Sequence, residues 1–250
     1  MIIKILTLFP EMFYGFLESS ILKRAQDNGL LNIEYINIRD YASNKHKKVD
    51  DYPYGGGAGM VMTPQPIFDA YEYAIRDFDK GIKTKTVYLT PKGKTFSQKI
   101  ASDFAEEKQI VFLCGHYEGI DQRVIDTIVT DEISIGDFVL TGGELPAAMM
   151  IDAITRLLPG VLSSDASYEE ESFYSGLLEY PHYTRPEDYK GIKVPKVLLS
   201  GNHKEIDRWR RKSSLEITLQ RRPDLIQESS SLSKLDRKLI EEISNESKLK

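Results

Sequence analysis

The apolar positions of this chain form short β-rich runs separated by stretches with a single apolar face. Ile2 to Phe9 predicts a first strand and Leu31 to Ile38 a second. Between them, Ser19 or Ser20 predicts the cap of a helix that stops at Gly29. Pro64 to Lys80 predicts a helix, with proline near its start and Gly81 just past its end. Thr86 to Thr90 predicts a short strand ending at Pro91, and Ser97 caps a helix to about Lys108. Ile110 to Cys114 is the next strand. Ile120 to Thr127 follows as a helix, Ile128 to Ile135 as extended chain, and Glu144 to Leu158 as an apolar helix closed by Pro159-Gly160. Strands alternating with helices predict an α/β fold, a parallel sheet with helices on both faces.

After that helix the pattern changes. Leu162 to Ser175 is rich in Ser and Glu without a clear period, which predicts a linker. The pattern beyond it is helical. Asn202 with Glu205 forms a capping-box signature, Pro223 ends a helical stretch, and Leu232 to Ile243 is a last amphipathic helix. The predicted organisation is an α/β domain over residues 1–160, a linker over 161–175 and a small helical domain over 176–250. Arg39 to Thr63, inside the first domain, is a polar, glycine-rich loop long enough to predict a functional or mobile role.

The composition, 250 residues with 41% hydrophobic and 28% charged, is that of an ordinary globular protein. The apolar runs are too short for a membrane span, and Met1-Ile2-Ile3-Lys4 lacks the shape of a signal peptide. Cys114 is the only cysteine, so no internal disulfide forms, and the cytoplasm is the expected compartment. The net charge of −5 argues weakly against a nucleic-acid partner, but charge is segregated along the chain. Ser200 to Arg222 carries seven basic residues against three acids, whereas Asp165 to Asp188 carries seven carboxylates against Arg185. Taken alone, such runs read as solvated helix faces.

The clearest candidate chemistry is a pair of glycine-bearing bends. Ile110 to Cys114 runs into Gly115-His116-Tyr117-Glu118-Gly119. Glu132 to Leu140 carries Gly136 and runs into Thr141-Gly142-Gly143-Glu144. An apolar run that stops at glycine presents bare backbone to a small molecule. Common nucleotide motifs do not account for the bends. The first strand runs into Phe9-Pro10-Glu11 with no glycine, and Tyr88 stands where a phosphate loop ending at Gly93-Lys94-Thr95 needs glycine. The four histidines and one cysteine have no metal-ligand spacing.

Four longer motifs carry a resemblance. They are Asp51-Tyr52-Pro53-Tyr54-Gly55-Gly56-Gly57-Ala58-Gly59-Met60-Val61-Met62, Cys114 to Asp121, Ile135 to Glu144, and Leu177 to Pro186. Together they resemble the bacterial tRNA (guanine-N1)-methyltransferases of the SPOUT superfamily, over nearly the whole chain. The resemblance implies a deep trefoil knot at the C-terminal end of the α/β domain, followed by a small helical domain that grips tRNA. It implies transfer of a methyl group from S-adenosylmethionine to N1 of the guanine at position 37, just 3′ of the anticodon. It implies a homodimer with shared active sites. It also implies magnesium for activity, without a dedicated protein site.

By the same resemblance three loops hold the donor. The first contributes Tyr88, Leu89 and Pro91, and the second Gly115, Tyr117, Glu118 and Gly119. The third contributes Ser134, Ile135, Gly136, Asp137, Phe138, Val139, Leu140, Thr141, Gly142 and Gly143, with Pro146 beyond it. Removing the guanine N1 proton calls for a general base, and the oxygen that gains charge calls for a cation. Alignment with the family puts Glu171 at the base, where the family has aspartate, with Glu169 and Glu170 alongside. Arg156 matches the cation, although an arginine ending a helix also suits the helix dipole and can pair with Asp152. Asp51, Gly57 and Gly59 belong to the loop expected to close over the target nucleotide. Arg208, Arg210 and Arg211 are expected to face tRNA, with Trp209 anchoring the small domain's core. His116, where the family often has arginine, is expected to pack the loop. Two other readings stay open: a nucleotide-dependent enzyme of the doubly wound kind, and a non-catalytic RNA-binding protein with a relic pocket.

Overall fold

The computed structural model describes residues 1–162, 171–174, 176–228 and 232–247. These fall into two compact units, Met1–Ser164 and Asp165–Lys250. Most of the predicted linker, with Glu169 and Glu170, lies outside the described residues.

The first unit is built on β1 (Ile2–Thr7), α1 (Glu11–Leu17), α2 (Ser20–Asp27) and β2 (Asn32–Asn37). A short hairpin, β3 (Asp50–Asp51) with β4 (Val61–Met62), leads into α3 (Pro64–Ile75). Then come β5 (Lys85–Thr95), α4 (Gln98–Ala105), β6 (Gln109–Leu113), α5 (Gln122–Ile128), β7 (Asp131–Ser134) and α6 (Glu144–Thr155). The main sheet has five strands in the order β2-β1-β6-β5-β7, all parallel. Both faces are covered, which is why its strands read as nearly continuous apolar runs. Ile3, Ile5, Val87, Ile110 and Phe112 pack under α1, α2, α4 and α6. Leu6, Tyr88, Val111 and Leu113 pack on the other side with α3 and α5. The one buried charge of β1, Lys4, is paired with Glu34 and with Asp77 at 3.1 Å.

Several expectations need correction. Nothing in the sequence announces helix α1. Its Phe13 and Leu17, one turn apart, are both buried, but the Pro10-Glu11 step resembled only the exit of the strand. Pro91 does not end β5. The strand pairs with β7 through Leu89, bulges out at residues 90–93, and rejoins at Lys94. Proline costs nothing there because the bulged segment makes no ladder bond. The rejoining strand runs so close to β7 that a Cβ on Gly93 would collide with the backbone of Glu132 and Ile133. The second unit, finally, is not helical throughout.

That unit holds a hairpin of β8 (Asp188–Tyr189) and β9 (Ile192–Lys193), and then α7 (His203–Arg221), α8 (Pro223–Glu228) and α9 (Lys234–Ser247). Asn202 caps α7 by accepting from the Glu205 N–H at 3.4 Å, as the capping signature predicts. Pro223 opens the next helix rather than merely closing the last. A small core of Leu177, Leu215, Leu239 and Ile243 joins α7 to α9. Trp209 lies outside that core. It is half-buried, with its ring 6.3 Å from Tyr183.

Candidate functional site

The bulge of β5 and the loops that follow β6 and β7 converge on one cleft of about 570 Å³ at one end of the sheet. This is where parallel sheets place ligands. Every residue assigned above to the donor lines the cleft except Asp137. Thr90 and His116, within the first two donor loops, also line it, as do Lys92 of the β5 bulge and Gln122 at the start of α5, which the sequence does not announce. The bulge could be found only from the strand register, because Pro91 conceals it in the sequence.

Glycine is required at these bends for steric reasons. A Cβ on Gly115 would sit 2.9 Å from the Tyr88 ring, and one on Gly143 would sit 2.8 Å from Cα of Cys114. Such contacts force something to move. The closeness lets Gly143 N–H donate to the Gly115 carbonyl at 3.0 Å and pairs His116 with Gly142 in an isolated bridge. The two bends are therefore joined backbone to backbone. In the third loop, Gly136 has φ +140° and Ser134 Oγ accepts its N–H at 3.2 Å. Beyond Gly136, Phe138, Val139 and Leu140 stand exposed.

Two ionisable groups of the cleft region are pushed toward their neutral forms. Burial, and then the Glu132 carboxylate, raise the Tyr88 phenol. Complete burial, reinforced by Glu144, raises the Cys114 thiol well above its ordinary value, so this cysteine is inert packing rather than a nucleophile. Beneath the loops, His116 Nε2 lies 2.8 Å from both oxygens of Glu144. That agrees with a loop-packing role.

The glycine-rich segment is a hairpin extension of this site. Met62 N–H donates to Gly119 O, Asp121 N–H to Met62 O and Glu118 N–H to Met60 O, each at 3.0 Å. Gly59 has φ +84°, and a Cβ there would strike the Glu118 side chain. Asp51 accepts from the Tyr52 N–H at 2.9 Å and from Lys48, and both interactions hold its carboxyl below the usual range. Gly57 has φ +128°, and Tyr52 and Tyr54 are exposed.

Arg156 caps the C-terminus of α6. Burial raises the Asp152 carboxyl one turn before it, and the Arg156 charge counteracts part of that rise. Glu171 is half-buried in the second unit, where its carbonyl accepts from the Tyr174 N–H at 3.4 Å. Arg208, Arg210 and Arg211 of α7 are engaged within their own unit. Arg208 donates to Glu242 at 2.6 Å, and Arg211 holds Asp236 through two bonds at 2.7 and 3.0 Å. Arg210 lies 3.8 Å from Asp207, with its guanidinium 5.0 Å from the Tyr180 ring centre. Among the described residues no three His, Cys, Asp or Glu side chains gather as a metal group, and no helix is long and apolar enough to cross a membrane.

Residues 1–228 match the family described as tRNA (Guanine-1)-methyltransferase TrmD. The chain is 66% identical over 224 residues to a tRNA (guanine-N(1)-)-methyltransferase of Alkaliphilus metalliredigens, covering 90% of this chain and 91% of that protein. It is 63% identical to the protein of the same name from Alkaliphilus oremlandii, over 97% and 98% of the two chains. The corresponding protein of Clostridioides difficile is 60% identical, over 90% and 97%.

Proposed function

The chain belongs to the tRNA (guanine-1)-methyltransferase family, and we propose that the cleft at the β5 bulge and the ends of β6 and β7 is where it binds S-adenosylmethionine for methyl transfer to N1 of guanine 37. The enzyme is a tRNA guanine N1-methyltransferase. The observation that carries the donor site is the glycine-walled cleft, whose bends at Gly115 and Gly143 have no room for a side chain. Bare backbone N–H and C=O groups suit the adenine and ribose edges of such a molecule, and the apolar Leu89, Ile135 and Pro146 suit its flat ring. When bound, S-adenosylmethionine supplies an electrophilic methyl group on sulfur.

The remaining chemistry falls to the protein. Guanine N1 carries a proton at neutral pH, and in this reading the Glu171 carboxylate takes it. Arg156 stabilises the charge that gathers on the neighbouring oxygen. Asp51, Gly57 and Gly59 close over the nucleotide, and the basic side of α7 meets tRNA phosphates. Arg208, Arg210 and Arg211 suit that task because each side chain keeps 36–40% of its surface exposed despite its internal partner.

The reading includes a homodimer with shared sites. Met12 and Phe16 of α1 and Leu145 and Met149 of α6 are exposed one turn apart on two helices that pack together, an apolar face that a second copy suits. It also includes the trefoil knot. Support comes from the path after edge strand β7: the chain passes Gly143 against Cys114 and Gly115, and α6 then packs back on the β1 side. The cytoplasm, where tRNA is modified, is the matching location. Magnesium used by the reaction would find no group of three His, Cys, Asp or Glu side chains among the described residues.

Methyl transfer to transcribed tRNA bearing G or A at position 37 tests the reading. Transfer to G alone is expected, and equal transfer to both overturns it. Glu171→Gln is expected to keep S-adenosylhomocysteine binding while turnover falls roughly 10²- to 10⁴-fold. Near-normal turnover would remove Glu171 from the base role.

A further inference from the structure

Under the donor cleft lies a buried polar group that the transfer chemistry leaves unused. Glu144, the first residue of α6, is 2% exposed. Its Oε1 accepts from Thr7 Oγ1 at 2.6 Å, at the end of β1. Its two oxygens are both 2.8 Å from His116 Nε2, in the loop after β6. A carboxylate only accepts, so Nε2 donates here. The Phe9 ring closes one side of the imidazole, 4.9 Å away and edge-on. Three elements far apart in the chain thus meet at one carboxylate, which burial would otherwise make costly.

The backbone above rests on this pair. Gly142 lies so flat against it that a Cβ would collide with the His116 ring and lie 2.6 Å from Glu144 Oε2. Gly142 and His116 line the cleft, and Glu144 does not. We infer that His116 and Glu144 are a positioning pair for the methyl donor: together they fix the spacing between the Gly115–Gly119 loop and the Gly142–Gly143 bend. The inference rests on the donor cleft proposed above. The pair acts through the backbone it supports and takes no part in moving the methyl group or the proton.

Calorimetric titration of the full chain with S-adenosylhomocysteine tests this. His116→Ala and Glu144→Ala are each expected to raise Kd about tenfold, the scale of one lost hydrogen bond to a charged group. The double variant is expected to cost no more than either single one, because the two side chains form a unit. His116→Gln keeps an N–H donor and is expected to recover most of the affinity. In turnover assays the loss falls mainly on KM for the donor, with kcat changed less. Additive losses, or an unchanged Kd in Glu144→Ala, would make His116 a direct contact and overturn the inference. Should Glu144→Ala not fold, Thr7→Val replaces it: a raised Kd that does not add to His116→Ala supports the pair, and an unchanged Kd overturns it. Failure of the unaltered chain to bind S-adenosylhomocysteine would instead sink the donor cleft itself.

Discussion

The two units of this protein are held together by different physics. In the first, apolar strands buried on both faces bring three loops to one sheet end, where glycines let backbone touch backbone. In the second, among the described residues, four buried aliphatic side chains with four partly buried ones around them form a small core, and ion pairs add to it. Arg208, Arg211 and Lys212 on α7 pair with Glu242, Asp236 and Glu246 on α9, at 2.6 to 2.7 Å. A core that small fixes helices only loosely, and directional ion pairs add register. The first unit should therefore respond most to volume, and the second to pH and salt.

The largest expected effect is at Gly143. Gly143→Ala puts a methyl 2.8 Å from the Cys114 Cα, so the bend must open. Its affinity for S-adenosylhomocysteine is expected to fall roughly 10- to 100-fold by calorimetry, the range of overpacking costs. Unchanged binding would show that the two bends move freely. Next comes acid. Arg211, with help from Ser233, pulls the Asp236 carboxyl down to about 2, while its side chain is almost fully buried. A depressed carboxyl stabilises the folded state above its unfolded pKa, so about 2 kcal/mol is present near neutrality and lost as pH falls from about 4 to about 2. Trp209 is the only tryptophan and belongs to this unit, so its fluorescence follows the transition. Asp236→Asn is expected to flatten that pH dependence.

Smaller effects separate charges that bind from charges that brace. Of Arg208, Arg210 and Arg211, Arg210 has the longest ion-pair distance, 3.8 Å, against 2.6 and 2.7 Å for the other two. Arg210→Ala is expected to weaken tRNA binding and to reduce its salt slope by about one. An unchanged slope would remove it from the tRNA surface. Lys212→Ala breaks a partly exposed pair and is expected to cost only about 0.5 kcal/mol in urea unfolding followed by Trp209. A loss several times larger would mean that the ion pairs, more than the small core, hold the unit.

Much of the candidate cleft was legible because it is built from backbone. Apolar runs ending at Gly115 and Gly136 announce loops that present N–H and C=O groups, and the motifs around them extend that reading to the family. Local signals also held where local chemistry decides. Ser97 and Asn202 cap their helices through their own side chains. Where an ordinary local signal was overridden, the cause lay elsewhere in the fold. Pro91 reads as a terminator, but β7 takes the strand up again at Lys94. The basic run of α7 reads as a fully solvated stripe, but acids 25 and 34 residues further along the chain pair with Arg211 and Arg208.

The sequence by itself determined the alternation of strands and helices, the glycine bends, the family, and through the family the reaction. These depend on residue order over short spans, where periodicity, capping and glycine's missing side chain act directly. Only the tertiary structure decided which charges are spent internally, and that Thr7, His116 and Glu144 share one buried site. Thr7 and Glu144 are 137 residues apart, and nothing local to either position specifies the other. Their partnership arises because burial leaves a carboxylate no water to bond, so the fold must bring donors to it.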